Sequence, residues 1–185
     1  MTVNKSHNHL IDNITRAISG TCEESAVIMK VIDYVNSTAR ESIEPGVEIV
    51  DSLSQIFRDT IAHALELNCD LTVIVKGLII GTFRSSDDIK LEAHKTIEHM
   101  TRLVVEIIYE LRGNTGAAIR GMLEGVAEGA LEERLNLETA LNEAARDAVG
   151  IAVKLSKEYG SAVRQAASCE IMDIKIQVPE EAADH

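Results

Sequence analysis

The 185-residue chain predicts an all-α fold: a helical bundle or an elongated array of five to seven helices, followed by a short C-terminal strand. Three observations carry that expectation. Aromatic residues make up 3% of the chain and Pro occurs only at Pro45 and Pro179, whereas sandwiches and barrels spend many aromatic and turn residues. Apolar residues, 45% of the total, recur at helical spacing between a few breakers. Residue types also recur every 44 positions: Arg58, Arg102 and Arg146; Leu53, Ile97 and Leu141; Leu67, Leu111 and Leu155; Lys76, Arg120 and Arg164. A period of this size marks stacked helical units, here helix pairs, each burying its apolar face on the next.

The elements follow in order. Leu10, Ile11, Ile14, Ala17 and Ile18 form a helical stripe that stops at Gly20. Thr21-Cys-Glu-Glu24 reads as a capping box, in which hydroxyl and carboxylate satisfy the first amides reciprocally. The next helix carries Val27, Ile28, Val31, Ile32 and Val35 and ends before Pro45-Gly46. A third runs from about Val47 to Leu67 and halts near Asn68; Asp70 then caps an apolar segment ending at Phe83. Ser85-Ser-Asp-Asp88 supplies another start, and that helix closes at Gly113-Asn114. From Thr115 to about Ala167 the chain reads as one long helix or two joined near Asn136, with Gly150 and Gly160 as weak bends. Met172, Ile174, Ile176 and Val178 alternate with polar residues, the period of a strand. Three regions result: N-terminal helices over 1–46 (a degenerate first copy), the repeat over 47–170, and a strand-like segment with an acidic tail over 171–185.

Forty-four is four elevens. Every eleventh residue from Ile56 gives Leu67, Leu78, Ile89, Met100, Leu111, Met122, Glu133, Ala144, Leu155 and Ala166, all apolar but one. Eleven residues at 3.67 per turn keep one helix face nearly in line. On this pattern, and on the Lys/Arg-Gly-x-x-x-Gly helices at Gly77/Gly81 and Gly121/Gly125/Gly129, the chain resembles the eleven-residue amphipathic-helix proteins over about residues 47–168. These are the apolipoprotein-like and phasin-like families. The resemblance implies a non-catalytic protein that coats a lipid or polymer surface, and it carries over no functional residue. Leu103-Val-Val-Glu-Ile-Ile108 departs from it, since β-branched runs suit a buried core.

A formal net charge of −12 opposes nucleic-acid and anionic-membrane partners. No apolar run has the length of a membrane span, and the N-terminus lacks a signal-peptide core. Cys22, Cys69 and Cys169 fit no metal spacing, and reduced buried thiols with a cytoplasmic location are expected. Nucleophile elbows, phosphate loops and dinucleotide fingerprints are absent from the sequence, so a non-enzymatic protein without cofactor is expected. His94 and His99, five apart, align poorly on a helix. Asp59, His63 and Glu66 share a helical face and are the candidate metal ligands, set against the commoner reading of a solvated polar face. Gly77, Gly81, Gly121, Gly125 and Gly129 are expected at close helix–helix contacts. Leu at Gly121 or Gly125 should then overpack, and Ala should be tolerated better. The functional expectation is a structural or interaction protein that self-associates through apolar and glycine-lined helix faces. A surface coat and a metal- or small-ligand-binding bundle are the alternatives.

Overall fold

The computed structural model describes residues 24–41, 49–85 and 92–178. Among them are seven helices: α1 (Glu24–Glu41), α2 (Ile49–Glu66), α3 (Leu71–Arg84), α4 (Ala93–Leu111), α5 (Thr115–Glu132), α6 (Leu137–Leu155) and α7 (Lys157–Ala167). The starts of α2 to α6, at Ile49, Leu71, Ala93, Thr115 and Leu137, lie 22 residues apart. The 44-residue spacing is therefore one helix pair with its turns. Because 22 is two elevens, each turn returns the chain to the same phase, and the eleven-residue track passes through the breaks. The stripe ending at Gly20, the capping box at Thr21, Pro45-Gly46 and Ser86 to Asp88 lie outside the described residues.

Three of the turns share one construction. Asn68, Arg112 and Arg134 adopt left-handed backbone at φ 52°, 53° and 57°. The amide one residue further on then donates back five positions: Cys69 to Ala64, Gly113 to Ile108 and Leu135 to Ala130, at 2.9, 3.0 and 2.8 Å. The following residue caps the next helix. Asp70 accepts from the Thr72 amide at 2.8 Å, Asn114 from Ala117 at 3.1 Å and Asn136 from Thr139 at 2.8 Å. The segment from Thr115 to Ala167 breaks at Asn136, as one of the two readings has it, and again at Ser156. There the extended backbone (φ −162°) ends α6, and the hydroxyl accepts from the Tyr159 amide at 3.0 Å. Gly150 and Gly160 both lie within helices.

Helices α1, α3 and α5 pack side by side and parallel, since Val31 and Val35 meet Gly77 and Gly81 in that order, and Thr72, Ile79 and Phe83 meet Gly121, Gly125 and Gly129. On the other layer α4 lies between α2 and α6, and α7 closes the end against α5 and α6. The core runs between the layers through residues such as Phe57, Leu78, Met100, Ile119 and Leu141. No described helix is long and apolar enough to cross a membrane.

The tail differs from the single strand expected over Met172–Val178. Glu170–Ile171 (β1) pairs antiparallel with Ile174–Lys175 (β2), in register Glu170 with Lys175 and Ile171 with Ile174. Met172 and Asp173, at φ 50° and 65°, form the turn. Alternation alone cannot show where a strand reverses. Ile171 and Ile176 bury their side chains, and the Gln177 amide donates to Asn142 Oδ1 at 2.8 Å, tying the segment to α6.

Candidate functional site

The three candidate metal ligands lie along α2 but do not converge. Gln55 donates to Asp59 at 2.7 Å, and His63 Nδ1 lies 3.2 Å from Glu66 Oε2. His63 Nε2 is buried without a hydrogen-bond partner. Among the described residues no three His, Cys, Asp or Glu side chains are grouped to hold a metal ion.

All five singled-out glycines are buried in helices. A Cβ on Gly77 would lie 2.9 Å from Val31 Cβ, one on Gly81 2.8 Å from Val35 Cβ, and one on Gly125 2.7 Å from Ile79 Cβ. At Gly121 the collision would be with the backbone of Thr72, and at Gly129 with the Phe83 ring. Large residues of one helix thus fill the hollows left by glycines on the next. Their amides belong to the helix ladder, so they form no phosphate cradle. Within one chain these glycine faces are occupied by the chain's own helices.

A row of ion pairs runs beside this seam. Lys76 of α3 sits 2.5 Å from Glu128 and 3.9 Å from Glu124 of α5, and Arg84 makes a two-pronged contact with Glu132 at 3.0 and 2.6 Å. That contact holds the Glu132 carboxyl below its ordinary range. The 44-residue ladder of Lys76 and Arg120 therefore belongs to a solvent-facing brace; Arg120 pairs with Glu124 at 2.8 Å.

Three surface features stand out among the described residues. At the C-terminal ends of α4 and α6, Tyr109 and Val153 occupy equivalent positions 44 residues apart and are 40% and 48% exposed. The Tyr109 ring lies 5.0 Å from that of Tyr159, and Gly160, the next residue, presses on Val153. Tyr159 donates its hydroxyl proton to the Val105 carbonyl at 2.9 Å, and burial pushes its pKa up to about 12. This apolar corner escaped sequence reasoning, although Tyr109 and Val153 stand in the 44-residue register. The second feature is an open cleft of about 460 Å³ between α4 and α6, lined by His94, Lys95, Ile97, Glu98, Glu143 and Asp147. A smaller cleft of about 260 Å³ beside Asn68, Cys69 and Asn114 holds a thiol whose pKa burial raises, which makes it a poor nucleophile.

The fold is an all-α packing of helices, with a small two-stranded hairpin after α7. No protein-family model matches the chain, and a search of curated proteins finds no match.

Proposed function

We propose that the protein is a non-enzymatic helical interaction protein that self-associates through the apolar corner at Tyr109 and Val153. One observation carries this reading: two large apolar side chains on adjacent helices stand 40% and 48% exposed while the glycine hollows are filled from within. Exposed apolar groups at equivalent positions of neighbouring helices favour burial against a partner. The surface-coat reading would require α1, α3 and α5 to part from contacts in which backbone meets backbone. The unpaired thiols of Cys69 and Cys169 fit a cytoplasmic setting.

Light scattering across a concentration series tests the reading. The expected result is a mass above the 20.2 kDa of one chain at high micromolar concentration, reduced to one chain by Tyr109→Ser with Val153→Ser. A single-chain mass throughout for the unmodified protein would overturn it. Flotation with liposomes would replace it with the coat.

A further inference from the structure

Among the described residues, the polar bridges between neighbouring helices of a layer share a direction. The base stands on the earlier helix and the acid on the later one, 48 to 52 residues further along the chain. Arg58 of α2 reaches Glu110 of α4 at 2.6 Å, Lys76 of α3 reaches Glu128 of α5 at 2.5 Å, and Arg84 reaches Glu132 at 2.6 Å. His94 of α4 faces Glu143 of α6 with the same stagger, at 3.0 Å. A pattern with a direction leaves two unlike ends.

Among the described helices α2 and α6 stand at the edges of their layer. Arg58, Arg102 and Arg146 occupy one register of the 44-residue repeat, and Glu66, Glu110 and Lys154 another. Glu110 turns back toward α2 to meet Arg58. By the same register Glu66 stands on the flank of α2 turned from α4, where its side chain is 73% exposed beside His63 Nδ1 at 3.2 Å. At the other edge Lys154 replaces the acid, and Arg102 turns along its own helix to Glu98 at 3.7 Å. Arg146 is exposed and makes no ion pair among the described residues. Val153, seven residues on and therefore on the same side of α6, is 48% exposed.

We propose that the Arg146 flank of α6 docks on the Glu66 flank of α2 in a second copy of this chain, continuing the layer head to tail. Arg146 then meets Glu66 of the next copy as Arg58 meets Glu110 within one chain. This inference rests on the self-association proposed above and names the two faces that meet. An exposed ion pair adds little affinity by itself. Its part is to fix the register and to exclude the wrong face, while Val153 supplies apolar area. Two α6 flanks meeting each other would bring Arg146 and Lys154 against their own kind, so unlike edges pair. Because the two faces differ, the contact is heterologous and adds copies in a row or a ring.

Light scattering of the full chain across a concentration series, with charge-reversed variants beside it, tests the two faces. Arg146→Glu and Glu66→Arg should each raise the concentration of half-association roughly tenfold, since each sets like charges against one another. Mixing the two variants should restore association, because every contact between unlike chains then joins a base to an acid. Combining both substitutions in one chain should restore it as well, which a folding defect could not do. A midpoint unmoved by either single reversal, in a protein that self-associates, would overturn head-to-tail docking and leave the apolar corner as the interface. Failure of both the mixture and the double variant to recover would overturn it too. A single-chain mass for the unmodified protein at every concentration would remove the self-association reading and this contact with it.

Discussion

Gly121→Ala and Gly150→Ala make the same chemical change in two helices of one chain, and the structure assigns them opposite signs. A Cβ on Gly121 would fall 2.8 Å from the Cα of Thr72 and 2.9 Å from its carbonyl carbon. These are backbone atoms, so no rotamer change relieves them. The Thr72 carbonyl oxygen lies nearer still, so restoring an ordinary separation near 3.4 Å parts α3 from α5 by roughly 1 Å, enough to forfeit a quarter to a half of each dispersion contact along the seam. Overpacking costs about 1–3 kcal/mol, and a collision with backbone lies in the upper part of that range, about 2–3 kcal/mol, against which Ala recovers about 1 kcal/mol of helix propensity. A net loss of about 1–2 kcal/mol corresponds to a melting temperature lower by roughly 2–8 °C in a chain of this size. Around Gly150 nothing lies within 4 Å of the added carbon. Only propensity changes there, and the melting temperature should rise by about 2–4 °C. Thermal melts followed by circular dichroism at 222 nm read both. If Gly121→Ala melts at or above the unmodified chain, the backbone-to-backbone account of the seam is wrong. The expectation that Ala is the mild substitution at Gly121 therefore holds only relative to Leu; Cβ itself is the atom without space.

Two further substitutions probe the turns and the apolar corner. Arg112 holds left-handed backbone at φ 53° and ψ 39°, so Arg112→Gly should stabilise by about 1 kcal/mol in urea unfolding, and a loss of stability would show that its side chain outweighs the backbone cost. Tyr159→Phe removes the hydrogen bond to Val105 and should cost about 0.5–1.5 kcal/mol. In the unmodified chain the ultraviolet absorbance of Tyr159 should titrate at about 12, and the variant should lack that step.

The sequence by itself determined the helical class, the phase of the described helices and the turns at Asn68 and Gly113-Asn114. Helix-forming periodicity and short-range caps are local: Asp70, Asn114 and Asn136 act within three residues of themselves, so their chemistry is written where they stand. The 44-residue spacing was visible for the same reason, because equal lengths of helix and turn repeat along the chain. Ser156 was harder to read, since the sequence around it continues in helix-forming residues and only its extended backbone ends α6. What the tertiary structure decided is which helix each glycine meets. A glycine marks a place where something comes close, but its missing side chain carries no information about the partner. Val31, Val35, Ile79 and Phe83 became identifiable as the fillers only once α1, α3 and α5 lay in parallel register. The same holds for the facing carboxylates of Glu98 and Asp147, 49 residues apart in the chain and brought together by the packing of α4 on α6. Charge and polarity at one position are local properties, whereas a cleft or a filled hollow exists only between elements, and its depth is fixed by how closely their backbones can approach.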